Sequence, residues 1–357
     1  MMSETGMARF IETAVLAIAG GYIFSVANLP LPWVLGALTF VLLWQGITKR
    51  KANLPSRVKN SGLIILGLYF GLYFTAETFM LLGPYIFPYL FMTVLLIGAS
   101  IVISSLITNW IDVDKITSVF GSIPGGLTEM VIASESLNAR SSLVVIFQTV
   151  RLLTVLFIVP AAIIFFFNAQ GQAGGAMAAE EPFVFGGWQY VWFLIPVAAG
   201  LIVKNKIPAG YIIAPLAVTA VMNVSPAMLP ALPEILLIAG QAAIGASLGK
   251  NISFQDLRLG GKYCFVYFGV ALLLILISFG LGYLLASFTS LSLATAVLSV
   301  APGGLIEMVL TASAVGGDPA IVSALQLIRI LVIIMFVPPL LKWYFRKKQK
   351  QGEPQYI

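Results

Sequence analysis

Apolar residues gather into twelve runs, six in each half of the chain, separated by short polar connectors. In the first half they cover 9–28, 32–48, 61–80, 85–109, 115–137 and 141–168. In the second they cover 187–203, 208–223, 234–249, 262–287, 292–315 and 319–341. Each run predicts a helix by length and apolarity. Stretches such as YLFMTVLLIGASIVISSLI (89–107) and VYFGVALLLILISFGLGYLLA (266–286) are long enough to cross a hydrocarbon core of about 30 Å.

The fifth run of each half is interrupted by the same residues. SIPGGLTEMV (122–131) and VAPGGLIEMV (300–309) superpose at an offset of 302 − 124 = 178. At that offset Pro124, Gly125, Gly126, Leu127, Glu129, Met130 and Val131 meet Pro302, Gly303, Gly304, Leu305, Glu307, Met308 and Val309. Gln148, Arg151, Val159 and Pro160 meet Gln326, Arg329, Val337 and Pro338, while Pro30 meets Pro208 and Trp33 meets Tyr211. The chain is therefore an internal duplication. The expected organisation is a first membrane repeat over 1–168, a linker over 169–186, a second repeat over 187–345 and a basic tail over 346–357.

Charge decides between parallel and inverted repeats. If the two broken runs do not fully cross and the N-terminus is cytoplasmic, the inner connectors hold Lys49, Arg50, Lys51, Arg57, Lys59, Arg140, Lys204, Lys206, Lys250, Arg258 and Lys262. The outer ones then hold Glu77, Glu180, Glu181, Glu234 and Asp318. Twelve full crossings would place Lys204, Lys206, Lys250, Arg258 and Lys262 outside, against the positive-inside rule. The predicted fold is an all-α polytopic membrane protein of two inverted repeats. It has about ten full spans plus two membrane-entering segments broken by Pro-Gly-Gly, and both termini are cytoplasmic.

Composition agrees: 59% of the 357 residues are apolar and 10% charged, against about 25% charged in soluble domains. The net charge of +6 lies in connectors and in the tail KWYFRKKQK (342–350), as at cytoplasmic span ends, so no nucleic-acid partner is expected. The first run reads as a retained span rather than a signal peptide, since only Arg9 is basic and Glu4 and Glu12 flank it. With no histidine and only Cys264, no disulfide framework, cofactor or metal site is expected, and no enzymatic activity.

The candidate chemistry sits at the two interruptions. Proline removes a backbone donor and glycine favours non-helical dihedrals, so each motif predicts a break. Such a break survives in a membrane only when buried in protein or lining a wet cavity. The restarted helix would aim its positive end at an anionic group, or the freed carbonyls would hold an ion. Glu129 and Glu307 fall in the first turn after the break: a protonatable coupling carboxylate or cation ligand, a helix cap, or the partner of Arg151 or Arg329 in a buried ion pair.

Arg151 and Arg329 lie eleven residues beyond Arg140 and Asp318, roughly 16 Å along a helix and near mid-membrane. Gln148 and Gln326 share their helix faces. A Gln-Arg face can bind a carboxylate or phosphate bidentately; the structural alternative is that Arg neutralises Glu while Gln ties down the broken backbone. Gln241 reads as helix packing, and Ser122, Thr128 and Asn109 as weaker path-lining candidates.

The paired Pro-Gly-Gly-Leu-x-Glu-Met-Val motifs, with Gln-x-x-Arg in the helix that follows, resemble the AbrB family of bacterial integral membrane proteins. The resemblance covers essentially the whole chain, because that family is itself a duplicated membrane unit. It implies a multi-pass protein of the bacterial cell (inner) membrane. The family carries labels such as "ammonia monooxygenase" and "regulator", and shares its name with an unrelated soluble DNA-binding regulator. An oxidase needs copper or iron held by imidazoles or carboxylates, which a chain without histidine supplies poorly. The expected activity is secondary transport of a small solute, an anion among the candidates, coupled to protons or cations. The site would comprise Pro124, Gly125, Gly126, Glu129, Gln148, Arg151, Pro302, Gly303, Gly304, Glu307, Gln326 and Arg329. The alternative is a non-transporting membrane scaffold or sensor with an indirect effect on gene expression. Expected partners are the lipid bilayer and a small-molecule or ion substrate; the oligomeric state stays open, a homodimer included.

Overall fold

The computed structural model describes residues 4–125, 127–137, 139–169, 187–207, 209–225 and 229–350. The expected linker, Pro208 and the last seven residues of the tail lie wholly or mostly outside them. Among the described residues the regular structure is entirely helical. The helices are α1 (Glu4–Val26), α2 (Ala37–Thr48), α3 (Ser56–Leu72), α4 (Ala76–Ile107), α5 (Lys115–Ser122), α6 (Leu127–Glu135), α7 (Ser141–Ala169) and α8 (Leu194–Val203). They continue with α9 (Gly210–Val224), α10 (Glu234–Asn251), α11 (Phe254–Gly260), α12 (Lys262–Phe288), α13 (Leu293–Val300), α14 (Leu305–Ala314) and α15 (Pro319–Lys350).

Among the described residues, five helices carry a stretch long and apolar enough to cross a membrane: Gly6–Val26, Ala76–Ile107, Ser141–Phe167, Lys262–Phe288 and Pro319–Phe345. Their surfaces stay apolar where exposed, as at Ile18, Phe87, Phe91, Phe265 and Leu276. Exposed apolar surface on this scale matches a lipid solvent, and the chain is a helical membrane protein. One boundary differs from the hydropathy reading, which ran the third apolar segment to residue 80. Thr75 Oγ1 accepts from the Thr78 amide at 3.2 Å and caps α4, so α3 ends at Leu72 and α4 starts inside that segment.

The chain forms two compact units, each drawing on both sequence halves. The first comprises Met1–Gly83, Pro160–Ser253 and Val309–Ser323; the second comprises Pro84–Val159, Phe254–Met308 and Ala324–Ile357.

In the first unit, helices approach through glycine faces. A Cβ on Gly67 would lie 2.5 Å from the Ile212 carbonyl oxygen, and one on Gly245 would lie 2.2 Å from that of Val34. Both members of this pair shift by 178 residues: 245 − 67 and 212 − 34. Gly71 against Leu216 at 2.7 Å and Gly249 against Leu38 at 2.6 Å repeat the relation. Thus α3 of the first half packs on α9 of the second, and α10 of the second on α2 of the first. Small residues permit such contact between membrane helices. Gln45 and Asn223, also 223 − 45 = 178 apart, each donate a side-chain amide across these contacts, to the Gly249 carbonyl at 2.9 Å and the Leu72 carbonyl at 3.0 Å. Gln241 lies buried in α10 beside Gly240.

The second unit contains most of α4, α5, α6, most of α7, α11 to α13, the first turn of α14 and most of α15. Both Pro-Gly-Gly motifs fall in this unit. One of its cores joins Ile116, Val119, Phe120, Ile123 and Met130 around the first motif to Ile333, Val337 and Leu341 of α15.

Candidate functional site at the two helix breaks

Each break follows from its proline. A residue before proline is driven out of the helical region, and Ile123 (φ −64°, ψ 129°) and Ala301 (φ −52°, ψ 135°) are extended accordingly. Helices α5 and α13 therefore end there and restart as α6 at Leu127 and α14 at Leu305. Their starts are capped by Asp114, which accepts from the Thr117 amide at 2.8 Å, and by Ser292, which accepts from the Thr295 amide at 3.3 Å.

Stopping a helix leaves its last carbonyls without partners. The Gln and Arg side chains supply them. Gln148 Nε2 donates to the carbonyls of Phe120 (2.6 Å) and Ile123 (3.1 Å), and Arg151 Nη1 donates to the Ile123 carbonyl. At the second break, Gln326 Nε2 donates to Leu298 (2.8 Å), Ser299 (3.1 Å) and Ala301 (3.4 Å). Arg329 Nη1 reaches the carbonyls of Val300 (3.3 Å) and Ala301, and Nη2 reaches that of Gly303 (2.7 Å). Both guanidiniums thus sit at the negative ends of the incoming half-helices, a favourable place for a buried cation. The alternative in which Gln secures the broken backbone describes these contacts, and Arg joins it in that task.

The two breaks lie near each other. A Cβ on Gly125 would come within 3.2 Å of Ile333, one turn beyond Arg329 on α15. Arg151 and Arg329 are close enough for their charges to repel. They are not equivalent. Arg329 Nη2 donates to Gln326 Oε1, locking the second pair together. At the first break Gln148 Oε1 and Arg151 Nε are both buried with no hydrogen-bond partner among the described residues.

The glycines work by size rather than by dihedral. Gly125, Gly303 and Gly304 do not adopt the positive φ that glycine alone takes freely. A Cβ on Gly125 would lie 2.3 Å from Met130 Cε, and one on Gly303 would lie 2.4 Å from Met308 Cε, so each motif methionine covers its own first glycine. A Cβ on Gly304 would lie 2.1 Å from Glu307 Oε2. The Glu307 carboxylate is therefore folded back over the start of α14, buried at 5% exposure, where a helix N-terminus favours negative charge. Gly126 and the side chains of Thr128 and Glu129 lie outside the described residues. Ser122 bonds its own helix, donating to the Ser118 carbonyl at 2.9 Å.

Two tyrosines that the sequence reading left out brace the breaks crosswise. Tyr89 on α4, in the first half, donates to the Ser299 carbonyl of the second broken helix at 3.1 Å. Tyr267 on α12, in the second half, donates to Ser118 Oγ of the first broken helix at 2.7 Å and stacks on Phe147. One turn earlier, Tyr85 contacts Ser290 at 2.6 Å and Tyr263 contacts the Asp112 carbonyl at 3.5 Å. These pairs keep the 178-residue offset: 263 − 85, 267 − 89 and 290 − 112. That register is the signal that would have found them.

A helical membrane protein with two proline-broken helices, each clamped by a Gln-Arg pair, is the class this architecture defines. The chain belongs to the AbrB family: the family model described as "Transition state regulatory protein AbrB" matches residues 33–345. It is 24% identical to "Uncharacterized protein YhjN" of Bacillus subtilis (strain 168), over 95% of this chain and 94% of that protein. It is 26% identical to "Putative regulator AbrB" of Escherichia coli (strain K12), over 90% of this chain and 92% of that protein.

Proposed function

We propose that this protein is a secondary transporter of a small anionic solute, with its binding centre at the two helix breaks of the second unit. The carrying observation is the convergence there of two interrupted helices and two guanidiniums, a costly arrangement in an apolar interior. In this reading the repeats are inverted and ten spans cross fully, which the charge pattern and the crosswise contacts support. Glu129 and Glu307, at the starts of the restarted helices, carry the coupling proton or cation. Arg151 and the two helix N-termini attract the anion, while Gln148, Gln326 and Arg329 hold the broken backbone. The protein resides in the cell membrane with both termini cytoplasmic.

A scaffold or sensor is the second reading. It is favoured by one observation: the hydrogen bonds donated by Gln326 and Arg329 go to backbone and to each other. The word "regulator" in the name of the Escherichia coli relative fits it, through an indirect effect on gene expression. Reconstitution into proteoliposomes separates the two. Uptake of labelled monocarboxylates, phosphate and amines is followed under imposed proton and sodium gradients, for the wild type, Glu129→Gln and Glu307→Gln. The transporter reading expects gradient-driven uptake that both variants abolish. Absence of flux across the panel, or full flux in variants that only lose thermal stability, rejects it.

A further inference from the structure

The first break holds two buried polar atoms of complementary sense that do not bond each other. Gln148 Oε1 is an acceptor, Arg151 Nε–H is a donor, and both are without a partner among the described residues. The amide cannot be turned to relieve this. Its Nε2 already serves the Phe120 and Ile123 carbonyls, and reversal would set oxygen against both of them. Gln148 is 1% exposed, so bulk water does not satisfy the acceptor. A buried polar group left without a partner loses its hydration and gains nothing in return. The same residue pair in the second repeat avoids the loss, because Gln326 Oε1 accepts from Arg329. The sequence duplicates the pair, yet only one copy is closed on itself.

We propose that Gln148 and Arg151 form an occluded subsite for a small oxyanion that brings its own O–H donor. The ligand class is a 2-hydroxycarboxylate or hydrogen phosphate: one oxygen accepts from Arg151 Nε–H while the hydroxyl donates to Gln148 Oε1. The neighbouring charges of Arg151 and Arg329 favour an anion there, and the acceptor Oε1 discriminates against anions that have no proton to give. Ligand access to so buried a position rests on the transporter reading. Gln326 and Arg329, locked together, shape the second break instead of binding.

The test uses the purified full-length chain in detergent. Affinities are measured by calorimetry for two matched pairs, lactate against propionate and phosphate against sulfate, at pH 7 and constant ionic strength. In each pair the second anion lacks the donor. At least one donor-bearing anion is expected to bind about tenfold or more tightly than its counterpart, and whichever pair shows the preference identifies the source. Gln148→Met is expected to erase that preference while leaving donor-free binding in place. Arg151→Lys, which keeps the charge but loses the planar donor array, is expected to weaken the preferred anion about tenfold. Equal affinities within both pairs, no binding of any of the four, or a preference that survives Gln148→Met overturns the subsite. The wild-type comparison decides even where a variant fails to fold. Uptake without donor selectivity removes this subsite and leaves the transporter reading standing; donor-selective binding without uptake does the reverse.

Discussion

Tyr89 and Ser299 stand 3.1 Å apart, hydroxyl to carbonyl, with the tyrosine from the first repeat and the carbonyl from the broken helix of the second. Ser299 also receives Gln326 Nε2 at 3.1 Å, so this carbonyl joins a brace and a clamp at one point. Tyr267 mirrors the brace at Ser118, whose Oγ in turn donates to the Ser104 carbonyl at 2.8 Å. The breaks are thus held from two sides: from α4 and α12 by tyrosines, and from α7 and α15 by Gln-Arg pairs.

Because each accepting group keeps a second contact, removing one hydroxyl leaves no fully orphaned partner. Tyr89→Phe and Tyr267→Phe are each expected to lower stability by about 1 kcal/mol, near the net value of one hydrogen bond. The two losses should add, since the tyrosines share no partner. Thermal unfolding in a fixed detergent checks this; a double variant much less stable than the sum would show that the braces are coupled.

The helical runs and the breaks were legible in the sequence because a proline or a 20-residue apolar run announces itself locally. Ile123 and Ala301 had to be extended once Pro124 and Pro302 followed them. The glycines were legible as a break but not in their purpose. Their role depends on which side chain covers them, and only the fold places Met130 over Gly125 or Glu307 over Gly304. Tyr89 and Tyr267 look like ordinary members of apolar helices until the carbonyls they reach are known. The difference between the first and second Gln-Arg pairs was invisible for a deeper reason: the residues are identical, and their geometry is not.

Glycines whose missing Cβ faces open space predict the opposite sign from those in the helix contacts. Gly98 in α4 and Gly269 and Gly280 in α12 have nothing within 4 Å of a built Cβ. Alanine there should be neutral or stabilising by up to about 1 kcal/mol, through helix propensity. Gly67→Ala and Gly245→Ala place a methyl 2.5 and 2.2 Å from backbone carbonyl oxygens that cannot turn aside, and should destabilise strongly. A panel of these five variants, scored by unfolding temperature, tests the packing of α3 on α9 and of α10 on α2.

Gly304→Ala addresses the buried carboxylate. The new methyl would overlap Glu307 Oε2, and the three atoms nearest to it all belong to that carboxyl group. The carboxylate must therefore move away from the start of α14, at an expected cost of about 1–3 kcal/mol. Gly304→Ala with Glu307→Ala should lose less than the sum of the single variants, because the overlap then disappears. A fully additive pair would mean that Gly304 serves the backbone rather than the carboxylate.

Arg329 and Arg151 occupy equivalent places, so lysine substitution measures how far their roles have diverged. Arg329 divides two terminal nitrogens among the carbonyls of Val300, Ala301 and Gly303 and the amide oxygen of Gln326. A single ammonium cannot span that set, and Gln326 Oε1 would lose its donor in a fully buried position. Arg329→Lys is expected to cost about 3 kcal/mol or more, in the range for breaking a buried, hydrogen-bonded charge network. Among the described residues Arg151 has one carbonyl partner, Ile123, which Gln148 also serves. Arg151→Lys removes less and should cost about 1–2 kcal/mol. Unfolding temperatures that fall equally for the two variants would contradict the division between a structural and a ligand-facing arginine. A larger fall for Arg329→Lys, with the larger loss of anion binding in Arg151→Lys, is the pattern that division requires.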